Sequence, residues 1–208
     1  MSTNTSPDTR TYGRSPDGDP PVAGASQPRL HQHGPEIQPF RTMRQLPLAL
    51  SFETRAQSVQ LLNRILADSQ ILHSHYKKYH WLMRGPTFYQ LHLLTDKHAA
   101  EQATLVDELA ERIQSLGGVS VGDPRHAAEI TELPRPPDGA QAVPSMLSQL
   151  LEDHEIIIGV LRDAIQKTEQ NGDSGTNDLL TGTVLRCHEM QVWFLAEHLV
   201  ETPLVKEE

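Results

Sequence analysis

The chain has 208 residues, with 18 Lys and Arg against 27 Asp and Glu, a formal net charge of −9. That length suits one domain with residues to spare, and the acidic balance argues against a protein that coats nucleic acid, which needs a basic surface. A single cysteine, Cys187, excludes a disulfide framework and a cysteine-rich zinc module, and no apolar run approaches the roughly 20 residues of a membrane span.

The first fifty residues form a segment of their own, holding 8 of the 15 prolines, four glycines and few large apolar side chains. Such a stretch cannot bury enough surface to offset its ordering entropy, so residues 1–50 are expected to be a flexible, Pro-rich arm or a strap draped over a folded body. Met1 to Thr5 lacks the basic-then-apolar order of a secretory signal. A soluble, cytoplasmic protein is the expectation, with nucleoid association as an alternative.

From Ser51 onward the text is helical. Ser51 is a plausible N-cap, and Val59, Leu62, Ile65, Leu66, Leu72, Tyr76 and Tyr79 recur at three- and four-residue steps. They predict one long helix to about Met83, broken at Gly85-Pro86. A second runs from about Thr87 to Leu116 and stops at Gly117-Gly118. Asp123-Pro124 opens a short helix to about Ile130. Pro144 opens a third long helix to Asn171-Gly172, and a fourth runs from about Gly175 to Val200, before a tail over residues 201–208. No strand-like alternation competes. The expected fold is all-α: a four-helix bundle with a short extra helix between the second and third long helices.

Histidine is unusually frequent, with 11 against four Phe, two Trp and four Tyr. It is the commonest metal ligand, so its placement matters. On the second helix His92, Asp96, Asp107 and Glu111 fall within an arc of about 100° at helical pitch. Taken singly, such residues are ordinary on a solvated face. Together they point to a site of mixed nitrogen and oxygen ligands, of the kind that suits iron, manganese or zinc. They cannot grip one ion within one chain, because the pair 92/96 lies roughly 22 Å along the axis from the pair 107/111. Two copies packing this helix antiparallel across a two-fold axis would bring one copy's first pair to the other's second, making two equivalent sites. His80, just before the break, can fold back toward His92.

The run from Lys77-Lys78-Tyr79-His80-Trp81 through Arg84-Gly85-Pro86-Thr87 to His92, continuing to Asp96 and Asp107-Glu108-Leu109-Ala110-Glu111, resembles the Dps family. These are the DNA-binding proteins from starved cells, dodecameric mini-ferritins. The resemblance covers roughly Ser51 to Val200, and the intervals of 12, 4, 11 and 4 residues from His80 onward match the family's ferroxidase motif without a gap. It implies a ferritin-like bundle, with His80, His92 and Asp96 from one subunit and Asp107 and Glu111 from its two-fold mate. It further implies a homododecameric shell that oxidises Fe(II) to Fe(III), preferentially with hydrogen peroxide, and stores ferric mineral, protecting DNA from oxidative damage. Iron is the implied metal, with zinc or manganese at the same ligands as an alternative. Trp81 is either a trap for stray oxidising equivalents or an interface packing residue. Intra-bundle di-iron sites use Glu-x-x-His pairs; no Glu in this chain has His three residues later, which favours an inter-subunit site.

Some residues keep two readings. Asp173 and Asp178 match acidic positions of the family's iron-admitting pore, or they cap a helix start. His98, Glu101 and His188, with Glu189 and His198, form a second metal site or are polar packing and surface residues. His31 and His33, near Glu36, are a weak divalent-ion motif. The arm holds five Arg, four acidic residues and no Lys, so DNA binding is expected to be weak or absent at physiological salt. The rival reading is a nucleoid-compacting DNA-binding shell without iron chemistry.

Overall fold

A computed structural model describes residue 28 and residues 30–201. The expected flexibility of residues 1–27, and the tail over residues 202–208, lie outside the described residues. The described residues from Ile37 onward form one compact unit. That unit takes in residues 37–50, a strand-free strap that precedes the helices. Arg44 donates its backbone N–H to Gly117 O at 2.8 Å, and Gln38 reaches the same oxygen at 3.0 Å. The buried Arg55 guanidinium bonds both Arg44 O and Leu116 O at 2.9 Å. These bonds tie the strap to one end of the bundle.

The described residues are helical and loop only. Three long helices, α1 (Phe52–Leu82), α2 (Phe88–Ser115) and α4 (Val143–Gln170), pack with a fourth limb around one apolar core that includes Leu62, Leu66, Leu109, Leu150 and Leu161, each fully buried. The short α3 (Pro124–Ile130) lies between α2 and α4 in the chain and packs on α1. Local chemistry sets the ends. Ser51 Oγ accepts the Thr54 N–H at 3.0 Å, and the Asp123 carboxylate accepts from Arg125 N at 2.9 Å with Pro124 at the first turn. Helix α2 closes in a Schellman motif: Gly117 N bonds Gln114 O at 2.9 Å and Gly118 N bonds Ile113 O at 3.0 Å, with Gly117 at φ 90°. A Cβ on Gly117 would stand 2.7 Å from Arg44 O, so the strap's approach also requires glycine there.

The fourth limb differs from the single helix expected. It comprises α5 (Ser174–Asp178), a π-helical stretch Leu179–Leu185, α6 (Arg186–Ala196) and a terminal 3-10 turn Glu197–Leu199. The buried residues Thr176, Leu180, Val184 and His188 recur every four positions. In a regular α-helix those three steps would rotate the apolar stripe by about 120° off the core. The wider π winding cancels the drift, and it falls where Thr181, Gly182, Thr183 and Val184 are all weak α-formers. The result aims His188, Gln191 and Leu195 inward, all at most 1 % exposed.

Candidate metal centre

The break between α1 and α2 folds His80 back onto His92. Gly85 takes φ 85°, a value natural to glycine, and the chain reverses within a few residues. The two imidazoles stack with centroids 3.7 Å apart and planes 19° from parallel. Each then bonds the other's backbone: His80 Nδ1–H donates to His92 O at 2.8 Å, and His92 Nδ1–H donates to His80 O at 3.0 Å. A carbonyl oxygen can only accept, so each Nδ1 carries a proton, and in the neutral ring Nε2 is the atom with a free lone pair. This is the backbone support that orients metal-binding histidines. Phe88 stacks on the outer side of His92 at 5.1 Å.

Asp96, one turn beyond His92, places Oδ1 3.9 Å from His80 Nε2. The same oxygen accepts from Lys77 Nζ at 2.6 Å. That hydrogen bond, supported by the charges of Lys77 and both histidines, holds the Asp96 carboxyl below its usual pKa range. This candidate half-site thus gathers two imidazole nitrogens and a carboxylate oxygen, with a lysine as the carboxylate's counter-ion.

Asp107 and Glu111 are exposed further along α2. Among the described residues no group of three or more His, Cys, Asp and Glu is placed to hold a metal ion. One chain therefore presents two incomplete clusters on one helix. Large apolar side chains stand in the open around the first: Trp81 is 71 % exposed and Tyr89 67 %, with Phe88 and Leu93 also exposed. Large apolar side chains exposed near one another are a mark of interaction surfaces.

The other candidates separate. Asp173 is fully buried: its carboxylate accepts from Thr176 Oγ1 at 2.6 Å and Thr176 N at 3.1 Å, and pairs with Arg112 at 2.6 Å. Those hydrogen bonds, with the Arg112 charge, outweigh the upward push of burial and keep its pKa low. Its observed place is the cap, and a carboxylate so enclosed does not line an opening; Asp178 is exposed. His98 and His188 enter the bundle interior, whereas Glu101 lies at its margin, bonded to Gln191 Nε2 at 2.8 Å and Lys97 at 3.1 Å. Glu189 pairs with Arg162 at 2.8 Å, and His198, His31, His33 and Glu36 are exposed. Tyr76, read in the sequence only as part of the first helix's apolar stripe, and His154 and Gln102, which the pattern did not single out, are all fully buried and polar. Their only sequence signal is a polar residue on an apolar stripe.

Bundle, short third helix and the histidine and carboxylate pairs along α2 together point to a class: residues 59–205 match the family model described as "Ferritin-like domain". The solved structure of DpsC from Streptomyces coelicolor is 63 % identical, with a TM-score of 0.81, covering 83 % of this chain and all of that one. Dps from Thermosynechococcus elongatus is 34 % identical at a TM-score of 0.69, covering 74 % of this chain and 98 % of that one. A curated relative, DNA protection during starvation protein 2 of Bacillus anthracis, is 30 % identical over 143 residues, which span 69 % of this chain and 97 % of the relative. The chain belongs to the Dps family of ferritin-like proteins.

Proposed function

We propose that this protein is a ferroxidase and iron-storage subunit whose active sites form between two copies of the chain. The observation that carries the reading is the reciprocal His80–His92 bonding, which leaves two Nε2 lone pairs beside the Asp96 carboxylate. Three ligands with no thiolate among them suit an iron substrate and leave positions open for further donors. Asp107 and Glu111 of a two-fold mate, presented by antiparallel α2 helices, supply the remaining carboxylates. The exposed Trp81, Phe88, Tyr89 and Leu93 would be covered in that pairing.

In this mechanism Asp96 releases Lys77 when Fe(II) arrives, exchanging one cation for another of higher charge. Carboxylate and imidazole donors then favour the ferric product. Hydrogen peroxide, a two-electron oxidant, is consumed by two Fe(II) equivalents without release of hydroxyl radical. The assembly is a homododecameric shell that stores the ferric mineral and protects DNA by removing both reactants. Exposed Asp178 would line an opening that admits iron. The net charge of −9 per chain supports attraction of Fe(II) over retention of DNA. Nucleoid compaction without iron chemistry is the rival reading, and DNA-binding names among the relatives, such as the nutrient stress-induced DNA-binding protein of Synechococcus, are what favour it.

The test is anaerobic Fe(II) loading followed by peroxide or O₂, with ferric absorbance and particle mass recorded. Rapid oxidation that is faster with peroxide, lost in Asp107→Ala/Glu111→Ala, is expected. Oxidation that survives the double substitution would end the inter-chain mechanism.

A further inference from the structure

Behind the half-site, the bundle interior holds a connected polar cluster built from α1, α2, α4 and α6. The hydroxyl of Tyr76 lies 2.6 Å from His154 Nε2, and His154 Nδ1 lies 2.9 Å from His188 Nδ1. His98 stands edge-on to the Tyr76 ring at 5.3 Å between centroids. Gln102 and Gln191 bond each other at 3.0 Å alongside. No member of the cluster is more than 1 % exposed. Packing alone does not call for three buried imidazoles, and His98 Nδ1, His188 Nε2 and Gln102 Oε1 lack partners among the described residues.

The direction of the chain of hydrogen bonds can be argued by counting orphans. If Tyr76 O–H donates to His154 Nε2, then His154 Nδ1–H donates to His188 Nδ1, and the one leftover is His188 Nε2–H. The reverse order leaves the Tyr76 O–H without an acceptor as well as a bare lone pair on His188 Nε2. The first arrangement strands fewer groups and is the more stable one. It makes Tyr76 a phenol already hydrogen-bonded to an imidazole base in the bundle interior.

Tyr76 sits one helical turn before His80, about 6 Å along α1 and on the adjoining face. We propose that Tyr76 is an electron donor to the oxidation reaction at the His80 site, with His154 as its proton acceptor; this rests on the ferroxidase reading above. The need arises when peroxide meets a site holding one Fe(II). A single electron would split peroxide into hydroxide and hydroxyl radical. With Tyr76, the Fe(II) gives one electron and the phenol gives the second, so the O–O bond breaks to two hydroxides. The phenolic proton passes to His154 Nε2, leaving a neutral tyrosyl radical, an imidazolium and Fe(III). The imidazolium keeps both N–H groups bonded, to the phenoxyl oxygen and to His188 Nδ1. A second Fe(II) returns the electron, the proton goes back to the tyrosine, and the sum is two Fe(II) and one peroxide giving two Fe(III) and two hydroxides. Trp81 lacks these features: its ring is 71 % exposed, and no base is bonded to its N–H among the described residues.

The experiment uses the assembled full-length protein loaded anaerobically with one Fe(II) per site, mixed with peroxide, freeze-quenched and examined by EPR. Wild type is expected to show a tyrosyl signal that narrows when ring-deuterated tyrosine is incorporated and that disappears on adding further Fe(II). Tyr76→Phe, which removes one oxygen atom, is expected to lose the signal to background and to release spin-trappable hydroxyl radical. Its assembled shell should match wild type in particle mass and circular dichroism. His154→Gln, able to accept a hydrogen bond but not a proton, is expected to lose the signal also. Tyr79→Phe and Trp81→Phe are expected to keep it. Iron oxidation by wild type with no tyrosyl signal, or a signal that persists in Tyr76→Phe or His154→Gln, overturns the proposal and leaves the ferroxidase reading standing. If wild type oxidises no iron, that reading falls and takes this one with it.

Discussion

Acidification should unfold this protein through its buried histidines, and the expected size can be worked out. Burial pushes the His98 imidazole down to about 4 and that of His188 down to about 3, and His154 is also driven well below its usual value, by burial and by its histidine neighbours. In the unfolded chain each titrates near 6.5. Between pH 6.5 and 4 the unfolded state therefore binds more protons than the native state, and stability falls as pH falls. A histidine protonated only in the unfolded state contributes a slope of about 1.4 kcal/mol per pH unit. His98 and His188 together then remove about 3 kcal/mol between pH 6 and pH 5, a large share of a typical domain's stability. The assay is urea unfolding by circular dichroism at a series of pH values and one fixed protein concentration, because assembly links stability to concentration. His98→Gln/His188→Gln should start less stable at pH 7 and show a shallower acid slope, by about 3 kcal/mol per pH unit. An unchanged slope in the double variant would refute the claim that these imidazoles are held neutral in the core.

Three further outcomes follow from the geometry. Asp173→Ala leaves the partly buried Arg112 without its partner and α5 without its cap, and should cost about 3 kcal/mol by denaturant midpoint, whereas Asp178→Asn should leave the midpoint in place and slow Fe(II) uptake in stopped flow. Gly117→Ala combines φ 90° with a Cβ 2.7 Å from Arg44 O. It should cost about 2 kcal/mol and increase proteolysis of the strap over residues 37–50. Salt-titrated gel shifts should show no tight DNA complex near physiological salt; tight binding there would revive the nucleoid-compacting reading.

Much of this arrangement is legible before any coordinates, because it is local. Ser51, Asp123-Pro124 and Gly117-Gly118 act within a few residues of the ends they define, and each does so as its chemistry predicts. The pairing of His80 with His92 is readable for the same reason: a helix, a Gly-Pro break and a second helix bring two residues twelve apart face to face. The π-helical stretch is not readable from periodicity alone, since its cause is the register between a four-residue repeat and the core of three other helices. The Tyr76, His98, His154 and His188 cluster is hidden similarly, as each residue comes from a different helix and resembles an ordinary interruption of an apolar stripe. Asp173 shows how one residue type serves two readings: acidic at a helix start fits both cap and pore, and only its burial against Arg112 separates them.

The claim that one active site is shared by two chains can be tested by complementation. His80→Gln/His92→Gln disables the nitrogen half of the site, and Asp107→Ala/Glu111→Ala disables the carboxylate half. Each variant alone should be inactive in peroxide-driven Fe(II) oxidation. Co-expressed in equal amounts and randomly paired, they should recover about a quarter of the wild-type sites, since a two-fold interface joins the intact histidines of one chain to the intact carboxylates of another in that fraction. Recovery near that level is the result predicted. No recovery, in mixed shells shown by mass to contain both chains, would mean that the two halves do not meet across the interface.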